Sequence, residues 1–252
     1  MKKILFILLI SISFFGFSQN ETLFEKGNKA YNDAAYDEAA DAYLKIIANG
    51  KASAALYFNL GNVYYKQNKI APSIYYYEKA LLLQPNDQDI KNNLAYAQNM
   101  TLDAIAVIPE TGLSKIYKNA ASYFSFEQWA YASIALMFLF VIGYLLYYFL
   151  TYATQKRIAF IISIICFLFA IVTMSIAYAE YSAFHADQPA IVFEPEVIVK
   201  SEPNTRSEET FRLHEGAKVK VLEELNDWNK IKIADGQTGW LASKTIKMLK
   251  DF

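Results

Sequence analysis

The sequence is poor in the residues that crosslink or catalyse. One cysteine, Cys166, occurs in 252 residues, which excludes an internal disulfide framework and a thiolate zinc cluster. The two histidines, His185 and His214, stand in different contexts, with no nearby cysteine and no acidic spacing suited to a metal. A phosphate-cradling glycine loop and a nucleophile elbow are both missing. So is an excess of either charge: 24 basic and 25 acidic residues leave a net charge of −1. A nucleic-acid partner would call for a basic footprint. No catalytic residue, cofactor or metal is therefore expected, and the chain reads as a non-enzyme.

Apolar residues are abundant instead. They make up 54% of the chain, against about 45–50% in a soluble domain. The first residues, "MKKILFILLISISFFGFSQN", set two lysines before an apolar run and a small-residue site at Gly16-Phe17-Ser18. This predicts a secretory signal peptide over 1–18. Trp129–Leu150 and Ile158–Ala179 each hold 22 positions without a charge, enough to cross a bilayer at ~20 residues per span. The spacing predicts transmembrane helices at 127–150 and 158–179. The loop 151–157 between them, with Lys156 and Arg157, belongs on the cytoplasmic side by the positive-inside rule. Trp129, Tyr147, Tyr148, Tyr152, Tyr178 and Tyr181 supply interfacial belts. The N-terminal and C-terminal regions then face the periplasm from the inner membrane.

Self-comparison reveals a repeat. Shifted by 34 residues, Phe24, Gly27, Asn28, Tyr31, Tyr43 and Lys45 align with Phe58, Gly61, Asn62, Tyr65, Tyr77 and Lys79. "NLG" at 59–61 recurs as "NLA" at 93–95. That period marks a helix–turn–helix solenoid. Tyr57, Leu60, Gly61, Tyr64, Tyr77, Ala80 and Pro85 fall at spacings that resemble the tetratricopeptide (TPR) repeat. The first unit matches more loosely through Leu23, Gly27, Ala30, Tyr36, Ala39 and Tyr43. A capping helix near 88–104 completes a domain over 19–104, followed by a linker over 105–126.

Two helical stripes divide the aromatics. Tyr57, Leu60, Gly61 and Tyr64 follow i, i+3, i+4, i+7 and belong to the core with Tyr77, Ala80 and Leu81. Phe24, Asn28 and Tyr31, with Phe58, Asn62 and Tyr65, form a second stripe, which lines the concave groove in TPR domains. These six are the candidate peptide-binding residues. Asparagine amides suit a peptide main chain because they donate and accept, and aromatics supply contact area. The alternative is that the stripe packs on the capping helix or the linker. TPR modules that clamp C-terminal carboxylates resemble this pattern at Asn28 and Asn62, but the positions where they carry basic residues hold Phe24, Asn92 and Tyr96 here.

After a linker over 180–190, the pattern changes to short alternating strands, as in "KVKVLEE" and "WNKIKIA", with an Asp235-Gly236 turn. Five or six strands over 191–252 predict a small all-β barrel. The stretch "LHEGAKVKVLEELNDWNKIKIADGQTGWLASKTI" resembles the bacterial SH3 family. Its usual "N-V-R-S-G-P" start appears as "IVKSEPN". Trp228 and Trp240 read as barrel core or rim. The fold class expected is thus a multidomain membrane protein: an all-α TPR solenoid, a two-helix transmembrane hairpin and an SH3-like barrel.

This order of segments resembles the BatE-type proteins of the Bacteroidetes aerotolerance (Bat) group. The resemblance implies work alongside von Willebrand factor A-type membrane proteins and, indirectly, a MoxR-type ATPase, in an envelope or stress-tolerance complex. It points to a membrane-anchored periplasmic adaptor. The other reading is a cell-envelope sensor whose SH3-like domain binds peptidoglycan.

Overall fold

The computed structural model describes residues 19–103, 105 and 112–250; the expected signal peptide lies outside them. The chain divides into two compact units, one made of the residues up to Val107 together with Gln188 onward, the other of Ile108–Asp187.

Five helices begin the first unit: α1, described over 19–32, α2 (Tyr36–Ala48), α3 (Ala54–Lys66), α4 (Ile70–Leu83) and α5 (Gln88–Gln98). Local chemistry sets their ends. The Ser53 hydroxyl accepts the Leu56 N–H at 3.1 Å, and the Asp87 carboxylate accepts the N–H groups of Asp89 and Ile90 at 2.9 and 3.1 Å. Ala34 and Asn68, one repeat apart, make the inter-helix turns with φ of 58°. Pro72 sits in the first turn of α4, where a missing N–H costs little.

The first stripe is core, as the spacing predicts. Tyr57, Leu60 and Gly61 are buried from α3, and Tyr77 and Ala80 from α4. Gly61 is required by close approach: a Cβ there would lie 2.5 Å from the Tyr77 ring. Gly27 meets the Tyr43 ring in the same way one repeat earlier.

Seven strands end the unit: β1 (Pro189–Val192), β2 (Glu196–Lys200), β3 (Glu209–His214), β4 (Lys218–Leu225), β5 (Trp228–Lys232), β6 (Thr238–Ala242) and β7 (Ile246–Met248). They form one antiparallel sheet in the order β3-β2-β6-β5-β4-β1-β7. Here the structure corrects the expectation of a closed barrel. The edge strands β3 and β7 do not pair, β7 is three residues long, and the sheet stays open. Val192, Val199, Leu213, Ile231 and Leu241 fill its apolar face.

The helices and the sheet share a core. Ile191 and Leu249 are fully buried in one cluster with Ile74, Tyr75, Ile90 and Leu94, and the Phe193 ring meets Tyr75 edge-on at 5.5 Å. Gly216, at φ 87°, lets the β3–β4 turn nest against α4: a Cβ would lie 2.9 Å from Ile74 and 2.8 Å from Thr101. Polar ties surround this contact. Asp103 accepts the His214 backbone N–H and meets its Nδ1, both at 2.7 Å. Lys218 pairs with the buried Glu78 at 2.7 Å.

The second unit holds α6 (Leu113–Ala121), α7 (Phe126–Phe149) and α8 (Ala153–Ala186). A capping box at Ser125 and Gln128 starts α7. The two long helices pack along small residues: Ser133, Gly143, Ala159, Ser163, Ala170 and Thr173 are buried between them, and the Ser133 hydroxyl donates to the Ala170 carbonyl at 2.9 Å. Membrane helices associate through such residues, since apolar bulk gives no preference for protein over lipid. Phe138, Leu139, Leu168 and Phe169 point outward and are exposed. Both helices are long and apolar enough to cross a membrane. Lys156 and Arg157, placed in the loop by sequence, stand in the first turns of α8. The stretch expected as a linker contains α6.

Two substitutions test this packing. Gly61→Val drives a side chain into Tyr77 and should lower stability by about 1–3 kcal/mol, read as the midpoint of helical unfolding by circular dichroism in mild detergent. Asp103→Ala leaves the His214 N–H without its acceptor, at a cost of about 1–3 kcal/mol. Hydrogen exchange should speed up at His214 while the amides of α2 keep their protection.

Candidate functional site

The second stripe meets a polar network that repeats with the chain. Asn28, on α1, accepts the Tyr43 hydroxyl of α2 at 2.7 Å and the Asn59 amide of α3 at 3.0 Å, both through Oδ1. One repeat later, Asn62 of α3 accepts the Tyr77 hydroxyl of α4 at 2.6 Å and the Asn93 amide of α5 at 3.0 Å. Each asparagine thus ties three successive helices. A bond from a buried phenol to an amide oxygen is worth most where water cannot replace it; Tyr43 and Tyr77 are each 1% exposed.

A cavity of about 300 Å³ opens over this network, lined by Asn28, Tyr31, Asn32, Tyr43, Asn59 and Asn62. None of these side chains is charged at neutral pH. Of the six residues expected in a groove, the cavity brings together Asn28, Tyr31 and Asn62. The others are placed differently. Phe24 and Phe58 lean on the rings of Tyr43 and Tyr77, at centroid distances of 5.7 and 5.9 Å, while Tyr65 packs half-buried at the edge of the α3–α4 core. Among the described residues, the Nδ2 groups of Asn28 and Asn62 have no partner. Those groups can donate to a ligand carbonyl; the Oδ1 atoms are already engaged.

Sequence reasoning missed Asn32, Asn59 and Asn93. The last two carried a signal, because they open the repeated "NLG" and "NLA". Asn32 carried none: the residue one repeat later is Lys66. Asn92 and Tyr96, where clamp-type TPR domains hold cations, are exposed on α5. On the sheet, Trp240 is buried and Trp228 half-buried, with the Lys230 ammonium 5.9 Å from the Trp240 ring.

The network predicts sensitivity to base. Burial, the largest cause, pushes the Tyr43 phenol from 10 up to about 12, against the opposing pull of the Asn59 amide. Tyr77 moves further in the same direction, again mainly by burial. Folded phenols that hold their protons more tightly than unfolded ones give a stabilisation complete below pH 10 and lost as pH rises through about 12. Unfolding of the α1–α5 layer should therefore set in above pH 10. The Tyr43→Phe, Tyr77→Phe double variant should weaken that dependence, read as helical signal against pH, and lower stability at pH 7 by about 1 kcal/mol per lost bond.

Comparison with known families agrees with both halves of this unit. Residues 54–87 match the tetratricopeptide repeat, a stretch that contains α3 and α4 whole. Residues 195–247 match the bacterial SH3 domain, which leaves β1, the strand seated on α4, outside the matched region. No curated protein matches the chain. The chain therefore carries a TPR repeat and a bacterial SH3 domain, two module types that commonly bind proteins or peptidoglycan and are typically non-catalytic.

Proposed function

We propose that this protein is a non-enzymatic adaptor, held in the bacterial inner membrane by α7 and α8, that assembles protein partners at its periplasmic face through the TPR cavity and the SH3-like sheet. The observation that carries the reading is the uncharged cavity over the Asn–Tyr network. Its amide donors suit the carbonyls of an extended peptide, and the lack of any cation disfavours a carboxylate-terminated tail. The helical layer and the sheet share a core, so a partner meets one composite surface with no linker entropy between its halves. By the resemblance stated above, the partners are the von Willebrand factor A-type membrane proteins of the Bat group and, through them, a MoxR-type ATPase in an envelope or stress-tolerance complex.

The bacterial SH3 match supports a second reading, a cell-envelope sensor that binds peptidoglycan through β2–β7. Deleting the sheet would uncover Ile74 and Tyr75, so the intact chain is the better probe. Native membranes are crosslinked, the protein is purified in mild detergent, and its companions are identified by mass spectrometry. A parallel preparation carries Asn32→Lys, which sets a cation in the cavity at an exposed position outside the hydrogen-bond network. Membrane proteins recovered with the parent, and reduced several-fold with the variant at unchanged melting temperature, are the expected result. Recovery of wall fragments alone, equal in both preparations, would transfer the function to the sheet.

A further inference from the structure

The helix α6 was not expected. Its nine residues, "LSKIYKNAA", split cleanly around the helix axis. Ile116, Tyr117, Ala120 and Ala121 occupy one side; Ser114, Lys115, Lys118 and Asn119 occupy the other. Within a soluble fold, the apolar side would pack against a neighbour. Here Ala121 is buried, but Ile116 is 66% exposed and Tyr117 42% exposed, and the following Tyr123 and Phe124 are 78% and 51% exposed.

The helix is nevertheless fixed in place. The Trp129 indole N–H, in the first turn of α7, donates to the Ala121 carbonyl at 3.0 Å, and the Phe124 ring meets Trp129 edge-on at 5.1 Å. Tyr117 stands close enough to Glu180, near the far end of α8, for that carboxylate to add to the upward push that burial gives its phenol. So α6 is tied to both long helices at the end of the hairpin where α7 starts and α8 finishes. That end also carries the aromatic side chains Tyr131, Tyr178 and Tyr181, all exposed.

We propose that α6 lies along the membrane surface as an interfacial helix, with Ile116, Tyr117 and Ala120 in the headgroup–acyl boundary and the side that bears Lys115 toward the lipid phosphates. The proposal rests on the reading that α7 and α8 span the bilayer. Two observations select lipid as the occupant. Exposed Tyr123 and Phe124 follow the apolar side, and Phe124 meets Trp129 at the start of α7. The opposite side carries two cations and no anion, the arrangement that anionic headgroups attract. Held by Trp129 and lying beside Glu180, the helix would act as a collar that sets how deep the hairpin sits.

The test uses the full chain with Cys166→Ala, carrying one new cysteine at a time and a nitroxide label, in phosphatidylethanolamine–phosphatidylglycerol vesicles. The positions are Ser114, Ile116 and Ala120 on α6, and Leu168 in the middle of α8 as the reference. Collision with oxygen is compared with collision with a water-soluble nickel chelate. Ile116→Cys and Ala120→Cys should favour oxygen several-fold more than Ser114→Cys does. If all three read as equally chelate-accessible while Leu168→Cys reads as lipid-buried, the interfacial helix is overturned and the spans stand. If Leu168→Cys is also chelate-accessible, the membrane reading fails and takes the proposal with it.

Discussion

The seating of the sheet on α4 is the contact on which the first unit depends. Ile74 and Tyr75 cannot be covered by the helical layer alone; Ile191, Phe193 and Leu249 close over them from the chain's other end. Closing so long a loop costs chain entropy, but that cost grows only with the logarithm of loop length. Among the intervening residues, α7 and α8 run alongside each other as a hairpin. A few large apolar side chains, with the Asp103–His214 and Glu78–Lys218 ties around them, are therefore enough to join segments more than a hundred residues apart in sequence.

The repeat places residues that stabilise it at the wall of the cavity. A solenoid unit cannot bury its apolar face by itself and needs its neighbours. In this protein, Asn28 and Asn62 add a directional tie at each step, using a phenol from the same repeat and an amide from the next. Consequently the asparagines that face the cavity are also the ones that hold it open. Replacing them would confound loss of ligand with loss of fold, which makes Asn32 the more informative position.

The hairpin follows a different physical rule. In water, exposed Phe138 and Leu168 would be a liability, whereas in hydrocarbon they are the favoured surface. Cohesion between α7 and α8 then falls to small side chains and to the Ser133 hydroxyl, which finds a carbonyl on the other helix. The length of α8, 34 residues, exceeds the ~20 that a bilayer requires. Its surplus carries Glu180 alongside Tyr117 of α6.

Much of this was legible in the sequence, because helical periodicity, the 34-residue repeat and uncharged runs are local properties. They located the two long helices, the core stripe of Tyr57, Leu60, Gly61 and Tyr77, and the alternating strands of the C-terminal region. The polar network was not legible. Asn28 and Asn59 are 31 residues apart, and nothing in either neighbourhood says which oxygen meets which amide. Nor was the open sheet: strand pattern reports which face is apolar and is silent on whether the first and last strands meet, a matter decided by β7 being only three residues long. The amphipathic α6 was present in the sequence as a 3.6-residue pattern, but its meaning came from the exposure of Ile116 and Tyr117 in the structure. Local patterning thus determined the elements and their buried faces. Only the tertiary structure decided which faces meet, because pairing across long chain separations depends on shape and on the exchange of specific hydrogen bonds, and neither is encoded within a single element.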